Sequence, residues 1–152
     1  MANQTVGRWP TRQDREPWGY RSYTPGNAQY YSGEMLMFGK DDGLVKPASG
    51  TLQNGGVVGI CDNYDVLVSV AVPLPTVQMR TQYGCFNFLG DGSITADTPP
   101  NTLLYAADTQ TVTATQSGLL PVAGRLFKYI SGDPSGYPVY VEIGNTPSGS
   151  TL

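Results

Sequence analysis

The sequence predicts an all-β fold from three observations. Charged residues make up only 14% of the 152-residue chain, and the 19 glycines and 12 prolines leave little room for helices. Short apolar runs rich in Val, Thr and Tyr alternate with turn-forming residues along most of the chain. The length fits one domain with a real hydrophobic core. Many short strands at this spacing favour a compact β-sandwich or small barrel.

The first element is an extended N-terminal arm over residues 1–32, rich in aromatic residues, arginine and proline. It has neither the 3.6-residue apolar period of a helix nor the alternation of a strand. Pro10, Pro17 and Pro25 interrupt regular structure, and each favours an extended conformation for the residue before it. We therefore expect the arm to be separate from the folded body.

A β domain is predicted over residues 33–144. Its first hairpin has a strand around 34–38, a turn at 41–43 and a second strand ending at Pro47. The further strands are predicted at 57–61, 66–72, 76–80, 83–89, 102–107, 111–115, 124–130 and 139–144. Residues 145–152 are expected to form a flexible tail.

Alternation assigns the faces of the last two strands. Val139, Val141 and Ile143 are expected to point inward, whereas Tyr140 and Glu142 are expected to point outward. In the preceding predicted strand, 124–130, alternation divides the residues between two faces. Leu126, Lys128 and Ile130 share one face, and Arg125, Phe127 and Tyr129 share the other.

Charge is distributed unevenly and limits the classes of partner. Residues 1–31 carry a net charge of +2, and the rest of the chain carries −5. An acidic body argues against nucleic acid as the main partner. No apolar run reaches the roughly 18 to 20 residues needed to cross a bilayer, so we expect no membrane partner. The first ten residues contain no apolar segment of the kind found in signal peptides, which predicts that the chain is not exported by that route.

The residue types argue against catalysis. The chain has no histidine, which removes the commonest general base and zinc ligand. Cys61 and Cys85 lie in apolar strands and are expected to be buried, inert thiols, with a disulfide or a reactive pair as the alternative. The remaining candidates are carboxylates, nearly all in turns where Asp hydrogen-bonds the local backbone: Asp62, Asp65, Asp91, Asp97, Asp108, Asp133 and Glu142. We predict no catalytic residue, no cofactor and no metal.

The arm is the predicted partner-binding segment, because aromatic residues and arginine dominate binding hot spots and proline lowers the entropy lost on ordering. The alternative is that Trp9, Trp18, Tyr20 and Tyr23 fold back over the protein's own sheet. Outside the arm, Arg80 and Arg125 are expected to be solvated strand residues, with partner contact as the alternative. The predicted contact residues are Arg8, Trp9, Arg12, Arg15, Trp18, Tyr20, Arg21, Tyr23, Tyr30 and Tyr31.

Four segments of the body, taken in order, resemble the cement, or decoration, proteins of tailed-phage capsids. They are "GEMLMFGKDDGLVKPASG", "GGVVGICDN", "GSITADTPPNTLLYAADTQTVTAT" and "PVAGRLFKYISGDPSGYPVYVEIG". The likeness covers roughly residues 33–144 and depends on the order and spacing of the segments. The arm matches no motif of that family.

The resemblance implies a β-sandwich or β-tulip-like domain that binds the outer surface of the major capsid protein lattice, often as a dimer or trimer. Its role would be to stabilise the head of the virion by bridging neighbouring capsid subunits after synthesis in the host cytoplasm. A second hypothesis is a carbohydrate- or receptor-binding module that uses Tyr64, Tyr137 and Tyr140 as stacking platforms. A third is a small enzyme using acidic turn residues such as Asp91 and Asp108.

Overall fold

The structure is a computed structural model that describes residues 3–4, 7, 19–39, 43–49, 56–63, 65–69, 79–118 and 120–143. These residues contain strands and turns but no helix, and so no helix among them could cross a membrane. The all-β class is therefore confirmed. The strands are β1 (Gly19–Tyr23), β2 (Ala28–Tyr30), β3 (Met35–Phe38), β4 (Val45–Pro47), β5 (Val57–Cys61), β6 (Val66–Val68), β7 (Met79–Gly90), β8 (Leu103–Ala106), β9 (Thr111–Thr113), β10 (Val122–Tyr129) and β11 (Val139–Ile143).

Five strands close into a ring in the order β7, β11, β10, β8 and β9. Every pairing in the ring is antiparallel except β7 with β9, which is parallel. A ring of five strands cannot close with antiparallel pairs alone, because each such pair reverses the chain direction and the reversals must be even in number. The single parallel pair is therefore a requirement of closure.

Strand β7 connects this ring to the rest of the sheet. Its second half, from Gly84 to Phe88, pairs with β11 in the ring. Its first half pairs with β1 across Met79–Tyr83 and also with β5. From β5 the sheet continues through β3 to β4, and a separate two-stranded sheet joins β2 to β6.

Two hydrophobic cores lie on opposite faces of the shared strands. The first core fills the ring and includes Phe86, Phe88, Leu104 and Val141. The second core lies against β2 and β6 and contains Tyr30, Leu36, Val45, Cys61, Val68 and Met79. Alternation along β3 divides its side chains between them, since Met35 and Met37 enter the first core and Leu36 enters the second.

Most predicted strands are confirmed, and the differences have local causes. Met79 and Arg80, the described end of the strand expected at 76–80, continue into the strand expected at 83–89, and the two halves of this single strand, β7, pair with different neighbours. In β11, Val139, Val141 and Ile143 are buried as expected. Tyr140 was expected outside but is 3% exposed. A register irregularity between Leu126 and Lys128 in β10 breaks the alternation expected there.

The structure also differs from the expected boundary of the arm. Residues 19–31 do not extend away from the body, because β1 pairs with β7 and β2 pairs with β6. Asn3 and Gln4 also contact the body, as described below. Residues 8–18 and the predicted tail at 145–152 lie outside the described residues.

Candidate docking surface

Strand β1 lies beside the first half of β7 and presents side chains to solvent. Gly19 pairs with Tyr83, and the register continues to Tyr23 opposite Met79. Among the described residues β1 pairs with no strand other than β7. Tyr20, Arg21 and Ser22 are exposed. We call Tyr20, Arg21 and Ser22, together with Arg80 and Tyr83 of β7, the β1 surface.

The first Arg–Tyr pair of the β1 surface joins Arg80 to Tyr20. The guanidinium carbon of Arg80 lies 3.9 Å from the centre of the Tyr20 ring, within cation–π range. The Tyr20 hydroxyl accepts a hydrogen bond from Nε2 of Gln82 at 3.0 Å. Arg80 Nε is 3.2 Å from Oδ2 of Asp62. These contacts hold the Tyr20 ring in one orientation, although 44% of the residue stays exposed.

The second pair joins Arg21 to Tyr83 on the opposite face of the same two strands. The guanidinium carbon of Arg21 lies 4.6 Å from the centre of the Tyr83 ring. The ring reaches across Gly19, where an added Cβ would lie 2.5 Å from the Tyr83 hydroxyl. Glycine at position 19 therefore makes room for the tyrosine, and the tyrosine supports the exposed arginine.

The structure separates the predicted contact residues into groups. Tyr20 and Arg21 belong to the β1 surface. Tyr23 is half-buried, and its ring packs edge-on against Phe38 with centres 5.1 Å apart. Tyr31 is also half-buried. Arg8, Trp9, Arg12, Arg15 and Trp18 lie outside the described residues.

Tyr30 does not fit its predicted role as a contact residue. The side chain is 0% exposed and belongs to the second core. Its hydroxyl donates to the Gly26 carbonyl oxygen at 2.6 Å and is 2.8 Å from the Val45 carbonyl oxygen. The Tyr30 hydroxyl therefore links β2 to Gly26 and to the start of β4 inside the body. The sequence did not reveal this burial because Tyr30 and Tyr31 are adjacent and chemically identical.

Several acidic turn residues have the structural role expected from the sequence. Asp91 accepts hydrogen bonds from the backbone and hydroxyl of Ser93, and Asp133 does the same for Ser135. The hydrogen bonds from Ser135 and then from the Tyr140 hydroxyl lower the pKa of Asp133. Cys61 and Cys85 are buried thiols that form no disulfide, and burial raises the pKa of Cys61 to about 12. The described residues contain no group of three or more Cys, Asp or Glu that could hold a metal ion.

Two of the tyrosines considered for glycan stacking are engaged within the body. Tyr140 is 3% exposed, and its hydroxyl donates to Asp133 at 2.6 Å. Tyr137 is half-buried, and its hydroxyl is 3.4 Å from Oε1 of Gln110. Tyr64 lies outside the described residues. Arg125 donates from a terminal guanidinium nitrogen to the Asn101 carbonyl at 3.0 Å, which favours a role in the fold.

Glu34 is a buried carboxyl group that the sequence pattern did not single out. It is 1% exposed, and its Oε1 accepts a hydrogen bond from the Tyr31 backbone at 3.0 Å. Burial raises its pKa from 4.5 to about 8. The sequence feature that could have indicated this burial is the position of Glu34, a single charged residue between a Ser-Gly turn and the apolar run "MLMF".

No protein-family model, curated protein or solved structure matches this chain. The resemblance to capsid cement proteins therefore stays a prediction from the quoted sequence segments.

Proposed function

We propose that this chain is a structural protein of a phage virion that binds the outer surface of the assembled capsid and bridges neighbouring capsid subunits. The observation that supports docking is the β1 surface, where two arginines are stacked on two tyrosines beside an exposed strand. The resemblance of residues 33–144 to cement proteins supports the capsid as the partner.

The chemistry of the β1 surface suits a protein partner. Tyrosine and arginine are among the residues that contribute most to protein–protein affinity. Stacking already orders Tyr20 and Arg21, so less side-chain entropy is lost when a partner binds. The contact between Tyr20 and Gln82 adds to this order.

Charge gives the surface a preferred kind of target. Arg80 is paired with Asp62, whereas Arg21 has no carboxylate within ion-pair distance among the described residues. The chain outside residues 1–31 carries a net charge of −5. An acidic patch on the capsid would be attracted to Arg21 and repelled elsewhere, which would orient the approach.

The test is co-sedimentation with mature capsids that lack decoration. The full-length chain is expected to pellet with assembled shells and to bind free capsid subunits weakly, because a bridging site is shared between neighbours. The double variant Tyr20→Ala/Arg21→Ala is expected to lose roughly 30-fold or more in affinity for shells, as for a hot spot of about 2 kcal/mol or more.

A matched control is available on β10. Phe127 is 42% exposed, and Lys128 Nζ lies 5.7 Å from the centre of its ring. The variant Phe127→Ala/Lys128→Ala removes a similar aromatic–cation pair from another strand and should bind like the unaltered protein. Equal loss in both variants would contradict docking through the β1 surface. Equal binding to free and assembled capsid protein would contradict bridging.

Truncation experiments need a boundary that follows the fold. Deleting residues 1–31 would remove β1, β2 and the buried Tyr30, so lost binding could reflect a damaged body. Deletion of residues 1–18 keeps both strands. If this shorter truncation binds shells as well as the full chain, the β1 surface and not the segment before it carries the contact.

A further inference from the structure

The N-terminal end of the chain is bound to the body through residues distant in sequence. The Gln4 backbone donates to Oγ1 of Thr109 at 2.8 Å, and the Thr109 backbone donates to Oδ1 of Asn3 at 3.3 Å. The Gln4 side chain donates from Nε2 to the Ser32 carbonyl at 2.6 Å and is 5% exposed. We call Asn3, Gln4 and Gly7 the N-terminal latch.

The latch lies on the turn Tyr31–Glu34, which connects β2 to β3. Gly33 in this turn has a φ of 86°, a conformation that glycine adopts without strain. Its backbone donates to the Cys61 carbonyl, and the Cys61 backbone donates to the Glu34 carbonyl, both at 2.8 Å. The turn is thus hydrogen-bonded to the end of β5 and is also contacted by the latch.

Gly7 makes the closest approach of the latch to an acidic side chain. A Cβ at position 7 would lie 2.5 Å from Oδ1 of Asp65 and would also contact the hydroxyl of Ser32. The same Asp65 oxygen accepts a hydrogen bond from the Ser32 backbone at 3.1 Å. Gly7, Ser32 and Asp65 therefore meet at one point on the turn.

Glu34 is buried in this turn without a positive partner. Its hydrogen-bond donor is the backbone of Tyr31, and no cationic side chain forms an ion pair with it among the described residues. Asp65 acts on Glu34 directly, and Cys61 at the end of β5 is coupled to it. Asp62 follows β5 and pairs with Arg80. Asp108 lies in the neighbouring turn, where the Thr109 carbonyl accepts a hydrogen bond from Met35. Asp65, Cys61 and Asp108 are not cations, and the Arg80 guanidinium pairs with Asp62, so none of these groups stabilises an ionised Glu34.

We propose that the N-terminal latch opens when Glu34 ionises, so that proton loss from this buried carboxyl frees the start of the chain from the body. An ionised Glu34 needs water and repels Asp65. Hydration of Glu34 and its repulsion from Asp65 both act on Ser32, which contacts Gln4 and Gly7 of the latch. Opening the latch admits water to the turn without breaking the ring or the first core.

The consequence concerns the chain on both sides of residues 8–18. With the latch closed, the chain is bound to the body before this segment, at Gln4, and after it, at β1. With the latch open, the described contacts before this segment are lost and the pairing of β1 with β7 after it is kept.

The direction of the pH effect follows from the two states of Glu34. Its pKa is about 8 while buried, above its ordinary value of 4.5. The closed latch therefore holds a proton that the open form releases. The ratio of closed to open molecules is expected to fall by roughly tenfold for each pH unit between these two values.

Amide hydrogen exchange followed by NMR tests this on the intact chain. Protection factors, which remove the intrinsic pH dependence of exchange, would be measured from pH 5 to pH 8.5 for the amides of Gln4 and Thr109. The amides of Phe88 and Val141 in the first core are the reference. We expect protection of Gln4 and Thr109 to be lower than that of the core at every pH and to fall by roughly tenfold per pH unit between pH 5 and pH 8, about a thousandfold in all.

The decisive variant is Glu34→Gln, which keeps an oxygen acceptor for Tyr31 but cannot ionise. In this variant the protection of Gln4 should not change with pH, whereas Glu142→Gln, the same substitution at a half-buried residue of β11, should behave like the unaltered chain. A pH dependence that persists in Glu34→Gln would overturn the proposal. So would protection of Gln4 equal to that of Val141 at every pH, because the opening would then be global unfolding.

Discussion

The closed ring and the turn Tyr31–Glu34 both bury side chains, yet different chemistry stabilises them. The ring encloses apolar side chains such as Phe86 and Val141, whose burial is insensitive to pH. The turn encloses a carboxyl group that stays buried at low cost only while it is protonated. Burial alone therefore does not identify which regions stay folded at every pH, because the stability of the turn depends on the protonation state of Glu34.

The largest expected effect comes from opening a cavity in the ring. Phe86 is 1% exposed in the first core, and Phe86→Ala should lower the free energy of unfolding by about 3–5 kcal/mol, because it removes apolar contacts and leaves a cavity. Urea denaturation at several pH values would measure this loss. If the ring and the turn are chemically distinct, the loss should be the same at pH 5.5 and pH 8.

A smaller effect is expected from pH acting on the turn. Since the pKa of Glu34 in the folded protein, about 8, exceeds its unfolded value of 4.5, the native state binds more protons between these values. Stability should therefore fall as pH rises through this window, with a slope of at most about 1.4 kcal/mol per pH unit from this group. Urea denaturation of the unaltered chain and of Glu34→Gln would isolate this contribution. A steeper fall in the variant than in the unaltered chain would contradict the assignment to Glu34.

The smallest effect is expected on the β1 surface, which is exposed. Tyr20→Phe removes the acceptor for Gln82 but keeps the ring beside Arg80. Water can reach this site, so the free energy of unfolding should change by less than about 1 kcal/mol. Thermal or urea unfolding would measure it. A loss as large as that of Phe86→Ala would mean that β1 is part of the structural core and not a docking surface.

Much of the strand pattern could be predicted from the sequence, because local alternation and turn chemistry determine it. The strand at 57–61 begins and ends where the sequence indicated, and Val139, Val141 and Ile143 point inward as expected. The Asp91 and Asp133 turns followed from the tendency of Asp to hydrogen-bond the backbone two residues on. These features depend on neighbours in the chain.

The candidate site was predicted only in part. The arm composition pointed to Tyr20 and Arg21, which lie on the β1 surface, but it also selected Tyr30, which is buried. Their partners Arg80 and Tyr83 lie about sixty residues further along the chain, so composition could not connect them. Pairing between β1 and β7 brings each arginine beside its tyrosine, one pair on each face.

The all-β class, the positions of most strands and the inward-pointing residues of β11 follow from the sequence, because side-chain periodicity and turn propensity act over a few residues. The closure of the five-stranded ring, the pairing of β1 with β7 and the burial of Glu34 depend on the tertiary structure. The physical reason is that strand pairing and desolvation depend on contacts between distant segments. A carboxyl group has an ordinary pKa in the sequence and acquires a raised one only when the fold removes its water and supplies no cation.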